Sequence, residues 1–301
     1  MQILSLGIEK RKDVILNALI EVLNERNLHV SAVYERNDVK IRELEGMEQF
    51  KGFFDSPLLD PKAKTTTAGI VENGIRYTVD VENGQKTGFF LDQKFNRLAA
   101  AAIARNRHVL DCFTHTGAFA LNAAKGGAAS VTAVDISQEA VDMTKKNAEA
   151  NNLDIDVVKA DVFDYLVKLD QEHNHDFDYI ILDPPAFTKS GKTVHEAFRG
   201  YKEINYRAMK LLPRGGHLAP ARCSHLGGEE LFVKMVKEAA RDAGVTLRQI
   251  EFRQQAPDHP ILMTVPETYY FSRLSKRMEN KKGTVAKCVI ILLQSLFSCV
   301  L

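Results

Sequence analysis

The sequence predicts an α/β protein, a mostly parallel sheet wrapped by helices, behind a small N-terminal α+β unit. Three observations predict it. Val109 to Asp135, VLDCFTHTGAFALNAAKGGAASVTAVD, reads strand, loop, helix, strand, the βαβ pattern of nucleotide-binding folds. Beyond it, apolar strand-like runs alternate with helical patterns, which implies parallel pairing. Three of those runs end in an acid, at Asp111, Asp135 and Asp161, the strand end where such sheets bind ligands.

The elements follow in order. Lys12 to Asn27 reads as a helix with Val14, Ile15, Ala18, Leu19, Val22 and Leu23 on one face. His29 to Arg36 and Gln49 to Phe54 read as strands. Asp55 to Thr67, with Pro57 and Pro61, is an exposed loop. Gly69 to Val81 is a hairpin turning at Glu72-Asn73-Gly74, because Asn-Gly is a strong hairpin signal. Residues 1–82 therefore form the small unit and 83–275 the larger domain, with 276–301 left as a tail. Glu82 to Arg97 is a polar loop, an apolar triplet Phe89-Phe90-Leu91, and Asp92-Gln93 opening a helix through Ala104. It reads either as a linker or as a loop lining a crevice between domains.

In the central unit, Val109 and Leu110 lead into Asp111, and a loop Cys112 to Gly117 precedes a helix of small residues, Ala118 to Ala124. Gly117 is expected to let the backbone approach a ligand closely. Asp135 is placed to accept hydrogen bonds from ribose hydroxyls. Gly117 is the only glycine in the loop, so the GxGxxG pattern of dinucleotide sites is absent. An adenosine ligand without phosphates, such as S-adenosylmethionine, fits better; the alternative is an ordinary α/β turn with strand-end acids.

Ser137 caps a helix to about Asn151, and Ile155 to Asp161 is the third strand of the sheet. Asp161 is either an acceptor for the adenine amine or the N-cap of the next helix. Phe177 to Leu182 is the fourth strand and runs into Asp183-Pro184-Pro185-Ala186-Phe187. Two prolines remove two backbone donors and stiffen the loop. The Asp183 carboxylate and the carbonyls around Pro184 become fixed acceptors for the exocyclic amine of a flipped base, and Phe187 offers a stacking face. The plainer reading is a turn. The remaining elements are a helix over His195 to Leu212, a strand over Gly216 to Arg222, a helix over Glu229 to Ala243 and a strand over Leu247 to Gln254. Cys223 follows the fifth strand, in Ala221-Arg222-Cys223-Ser224-His225. A thiolate there could add to C6 of a pyrimidine and make C5 nucleophilic toward a methyl donor, with Arg222 or His225 lowering its pKa. The alternative is a buried, inert cysteine.

Composition narrows the class. With 45% hydrophobic and 26% charged residues the chain reads as a soluble globular protein. Net charge is +1, so RNA binding would need a local basic patch. Four scattered cysteines, Cys112, Cys223, Cys288 and Cys299, signal neither a zinc site nor a disulfide framework. The short N-terminal apolar run and the lack of any 18-residue apolar stretch predict a cytoplasmic protein with no membrane partner.

The blocks QKTGFFLDQKFNR, VLDCFTHTGAFALNAAKGGAASVTAVDIS, DYIILDPPAFTKS, RCSHL and DHPILMTVPETYY resemble bacterial class I S-adenosylmethionine-dependent methyltransferases of large-subunit ribosomal RNA, the 23S rRNA (cytosine-C5)-methyltransferase I type. The resemblance runs from about Arg11 to Tyr270. It implies a Rossmann-like class I methyltransferase fold with a seven-stranded sheet, S-adenosylmethionine as cofactor, and 23S rRNA as partner. It also leaves room for a homodimer. By resemblance, Asp111, Phe113, Thr114 and Gly117 hold the methionine part of the cofactor, and Asp135 holds the ribose. Asp161 and Val162 border the adenine, and Gln85, Lys86 and Thr87 close over the cofactor. Asp183 serves cofactor and catalysis, Pro184, Pro185 and Phe187 hold the target base, and Cys223 matches the catalytic cysteine. The sequence departs from the family in lacking the N-terminal PUA domain, from which weak, salt-sensitive RNA binding is expected. Pro220 and Arg222 stand where small residues are usual, and the tail diverges after Tyr270. Val285–Leu301 is apolar but too short to span a bilayer, and reads as a divergent terminus or an interfacial helix. Guanine N7 methylation, small-molecule methylation and a non-catalytic RNA-binding or assembly role are the other functions considered.

Overall fold

The computed structural model describes residues 1–85, 88–187, 194–221, 228–264, 268, 275–279 and 285–292. The chain divides into two units, the first built on Met1–Ile70 with Thr78–Phe89 and the second on Val71–Tyr77 with Phe90–Phe297.

In the first unit, α1 (Leu6–Glu9) and α2 (Lys12–Glu25) precede β1 (Tyr34–Asn37) and β2 (Phe50–Phe53), which pair antiparallel with Tyr34 opposite Phe53. The expected apolar face of α2 is corrected. Val14, Ile15, Leu19 and Val22 are exposed, and Leu16 and Ile20 are the buried pair, packed with Phe54, Val30, Val33 and Leu59. Apolar residues occupy most of this helix's circumference, so periodicity alone could not select the inner stripe. A hairpin of β3 (Thr67–Glu72) and β4 (Ile75–Asp80) follows. Asn73 and Gly74 both take positive φ, at 52° and 73°, the geometry that selects Asn-Gly in two-residue hairpin turns.

The second unit carries α3 (Lys94–Ala104), β5 (His108–Cys112), α4 (Ala118–Lys125), β6 (Ser130–Asp135), α5 (Gln138–Ala150), β7 (Asp156–Lys159) and α6 (Val162–Gln171). Next come β8 (Tyr179–Leu182), α7 (Val194–Leu211), β9 (Gly216–Pro220), α8 (Gly228–Asp242), β10 (Leu247–Phe252), β11 (Ser275–Glu279) and β12 (Val285–Leu292). The helix that the sequence allows after Asp161 is α6, with Leu166 and Leu169 buried on it.

The sheet order is β10-β11-β12-β9-β8-β5-β6-β7, with a further pairing between β10 and β12. Among the described residues the sheet has eight strands where seven were expected. Part of the difference comes from the tail, where β12 pairs parallel with β9, Cys288 opposite Gly216 and Ile290 opposite Leu218. Residues 285–292 are thus a strand and not an interfacial helix, in keeping with the β-branched run of Val285, Val289, Ile290 and Ile291. Pro220 is accommodated because the pairing with β12 ends at Leu218. The amides of His217 and Ala221 point to β8, so the missing donor of Pro220 faces the other side, past the last paired residue.

Alternate residues of the strands feed two cores. Leu110, Ile180, Leu182 and Leu218 pack with Leu166, Ile204 and Met235 from α6, α7 and α8. Val109, Tyr179, Ile181 and Ala219 pack with Ala100 and Ala104 of α3 and Phe119 and Ala123 of α4. From β5 the chain steps to β6 on one side and β8 lies on the other, so strand order reverses at β5. In open α/β sheets ligands bind beyond the carboxyl ends of the strands at such a reversal. No helix among the described residues is long and apolar enough to cross a membrane.

Candidate functional site

The reversal places Asp111, at the end of β5, and Asp183, just past β8, on neighbouring strands. Cys112 sits opposite Leu182, and the Asp183 amide donates to the Cys112 carbonyl at 3.4 Å. Between them rises the loop from β5 to α4. Phe113, His115 and Gly117 take positive φ of 64°, 52° and 79°. Left-handed backbone costs a non-glycine residue roughly 1–2 kcal/mol, so the surroundings must hold this loop in place. They do so from two elements, β6 and α5. The Thr114 amide donates to the Val134 carbonyl at 3.1 Å, and the His115 amide to Asp135 Oδ2 at 2.9 Å. Thr144 Oγ1 and Asn147 Nδ2, one helical turn apart on α5, each donate at 3.1 Å to the carbonyls of His115 and Thr116.

A Cβ at Gly117 would lie 2.5 Å from Leu121 Cδ1 and 2.7 Å from Thr144 Cγ2, so packing inside the unit already demands glycine there.

Asp111 is 1% exposed. Its Oδ2 accepts from Thr114 Oγ1 at 2.6 Å and from the Ala120 amide at 3.0 Å. Its Oδ1 is buried with no hydrogen-bond partner among the described residues, as is Thr116 Oγ1. Burial pushes the Asp111 carboxyl up to about 7, the bonds from Thr114 and Ala120 oppose the rise, and the nearby charges of Asp183 and Asp135 add to it. Asp111 Oδ1 thus has acceptor capacity that no described residue uses. Asp135 is half-buried, with Oδ1 accepting from the Ser137 amide at 3.0 Å and Oδ2 from His115. Each carboxylate oxygen can accept more than one bond, so Asp135 keeps acceptor capacity for a hydroxyl donor. Burial holds the His115 imidazole below its usual range, and its ring meets Phe90 edge-on at 5.5 Å.

Asp161 is the N-cap of α6, its Oδ1 accepting from the amides of Phe163 at 2.8 Å and Asp164 at 3.3 Å; Oδ2 stands outside the cap. Val162 is 2% exposed and its side chain is spent in the core. Pro184 is buried and Pro185 exposed, with the Pro185 carbonyl accepting from Tyr201 Oη at 3.3 Å. Phe187 is half-buried in an aromatic cluster, 4.5 Å from the Tyr201 ring, 5.8 Å from Phe163 and 6.4 Å from Phe113. Much of the ring expected to stack on a base is therefore already engaged. Gln85 is exposed and belongs to the first unit. Lys86, Thr87 and Cys223 lie outside the described residues.

Reasoning from sequence missed Thr144, Asn147, Gln93 and Asn96. Gln93 and Asn96 are each 1% exposed, with Asn96 Nδ2 donating to Gln93 Oε1 at 2.7 Å; Gln93 Nε2 and Asn96 Oδ1 remain buried without partners among the described residues. Amides that polar, at the foot of a helix rich in alanine, were the available signal. Among the described residues no group of three or more His, Cys, Asp and Glu could hold a metal ion.

A profile of the S-adenosylmethionine-dependent methyltransferase family matches residues 59–265. The chain is 42% identical over 279 residues to a protein of Aeromonas salmonicida named ribosomal RNA large subunit methyltransferase I, covering 92% of this chain and 68% of the relative. Its namesake in Escherichia coli O157:H7 is 39% identical over 281 residues, covering 92% and 68%. The chain thus spans about two thirds of these relatives' length. Among solved structures, one assigned as a SAM-dependent methyltransferase from Streptococcus mutans superposes with TM-score 0.74 at 24% identity, covering 91% of this chain and 67% of that one. Another methyltransferase, solved with S-adenosylhomocysteine, gives 0.72 at 23% identity, covering 89% and 66%. These two likenesses speak to the fold.

Proposed function

The chain belongs to the S-adenosylmethionine-dependent methyltransferase family, and from that premise we propose that it methylates a base of 23S ribosomal RNA, at cytosine C5. Its cofactor is S-adenosylmethionine, which when bound supplies an electrophilic methyl group on a sulfonium. The rRNA assignment is supported by the relatives' names across nine tenths of the chain. The single observation that carries the cytosine reading is strand register. The Ala221 amide donates to the Leu182 carbonyl at 2.6 Å, so Ala221, two residues before Cys223 in the sequence, lies beside the end of β8 that leads into Asp183. A nucleophile and an acceptor for an exocyclic amine start from adjacent strand ends, which suits a pyrimidine and has no use for guanine N7.

Asp111, with its unspent Oδ1, would face the cationic methionine part of the cofactor, and Asp135 the ribose. Thr144 and Asn147 hold the loop whose Thr114 and His115 bond these two acids. Asp183, with the rigid prolines after it, would hold the base amine. Purified protein given methyl-labelled S-adenosylmethionine and unmodified 23S rRNA should move label into the RNA; persistent failure to do so on any large-subunit rRNA would remove the proposal.

Two predictions concern cofactor binding. Without ligand, Asp111 keeps its proton up to about pH 7. A bound cation favours the carboxylate, so binding below that pH must expel the proton. Affinity for S-adenosylhomocysteine, whose ammonium remains charged, should therefore tighten by about tenfold from pH 6 to pH 8 and then level off. Calorimetric titration in buffers of different ionisation enthalpy should show the proton release. Asp111→Asn should bind more weakly and lose the pH slope; a slope that survives this change would place the titrating group elsewhere. Asp135→Ala should weaken the same ligand by about 1–3 kcal/mol, the cost of a lost hydrogen bond to a buried polar group. Equal affinity in both proteins would take Asp135 out of the site.

A further inference from the structure

Arg97 lies on α3 and is 2% exposed, and a buried guanidinium must be fully partnered. Its Nε and Nη2 donate to Glu72 at 2.6 and 2.8 Å, a two-point fork onto a carboxylate that is itself 5% exposed. Nη2 also donates to the Phe90 carbonyl at 2.7 Å. Glu72 ends β3, and its neighbour Asn73 donates through Nδ2 to the Lys94 carbonyl at 3.0 Å, so the hairpin tip grips the start of α3 twice. Phe90 in turn leads into the tight turn Leu91–Gln93, and its ring meets His115 edge-on at 5.5 Å. The His115 amide is the one that holds Asp135 at 2.9 Å. A continuous path therefore runs from Glu72 through Arg97, Phe90 and His115 to Asp135, all within one unit.

An ion pair this deep is poor value as a stabiliser, because desolvation offsets most of the attraction. What the fork does supply is fixed geometry. A planar guanidinium that satisfies a carboxylate and a carbonyl together leaves the Phe90 backbone one position. We infer that Arg97 is a positioning residue of the cofactor site, holding Phe90 against His115 so that the left-handed loop keeps its shape before ligand arrives. The inference rests on the reading that this loop and Asp135 bind the cofactor.

The test is calorimetry with S-adenosylhomocysteine on the full chain, well below the melting temperature, with steady-state methyl transfer beside it. Arg97→Lys keeps the charge but cannot serve Glu72 by a fork and the Phe90 carbonyl at once. It should weaken the ligand by about tenfold and raise KM for the cofactor, with kcat at saturation within about twofold of wild type. Phe90→Leu leaves the ion pair whole and removes the ring from His115; it should weaken binding in the same direction, by about threefold or more. Wild-type affinity in a folded Arg97→Lys protein, or in Phe90→Leu, would overturn the inference and leave Arg97 a structural residue. If Asp135→Ala also binds like wild type, the reading of the site falls, and the positioning role with it.

Discussion

With 5-fluorocytosine at the target position, the wild-type chain is expected to form a stable protein–RNA adduct, and Cys223→Ala to form none. In the proposed reaction the Cys223 thiolate would bond to C6, the electron pair would move to C5, and C5 would take the methyl group as its bond to the cofactor sulfur breaks, the pair staying on sulfur to leave S-adenosylhomocysteine. A base then removes the C5 proton, the C5–C6 double bond reforms, and the thiolate leaves. Fluorine at C5 cannot leave as a proton, so the enzyme stays attached. Methylation of the natural substrate by Cys223→Ala should fall by at least about a thousandfold, because C5 of cytosine is a poor nucleophile without addition at C6. Cys112 serves as the control. It is fully buried in the core, and burial pushes its thiol well up, so it is no nucleophile. Cys112→Ala should trap RNA as wild type does. Full methylation by Cys223→Ala would end nucleophilic catalysis by this residue and make guanine N7 the better target.

The second large effect should come from Asp183. Asp183→Ala is expected to cut methylation by about a hundredfold to a thousandfold, the usual range for loss of a group that stabilises or orients the reacting centre. Asp183→Asn keeps a carbonyl acceptor for the base amine without the charge, and should lose less. The same charge raises the Asp111 carboxyl. Its removal should therefore move the pH profile of S-adenosylhomocysteine binding to lower pH in both variants. Ala and Asn variants that methylate like wild type would show that the Asp-Pro-Pro loop is only a turn.

The βαβ unit was legible because its signals are local: a strand ending at Asp111, a glycine opening α4, and a second strand ending at Asp135. Asn-Gly wrote its own turn for the same reason. What stayed hidden depends on which residues meet in space. The inner face of α2 is decided by Phe54 and Val33, far along the chain, and not by the helix's own pattern. Asp161 could be read as cap or adenine acceptor, and hydrogen-bond geometry gives it the cap at Oδ1. Gly117 could be read as a point of close approach, but that Leu121 and Thr144 crowd the place of its side chain is visible only in the packing. Thr144 and Asn147 carry no motif; they matter because α5 packs its polar edge against the loop carbonyls. The run Val285–Leu292 had strand composition, but only its pairing with β9 shows where that strand goes.

Nucleoside mass spectrometry of 23S rRNA, from cells with and without this chain, tests the central claim most directly. The rRNA is digested into defined fragments so that a modified base can be placed. The account predicts one 5-methylcytosine that disappears without the chain, returns with the wild-type gene, and does not return with Cys223→Ala. An unchanged 23S modification profile, or loss of a methylated guanine with cytosine untouched, would contradict it.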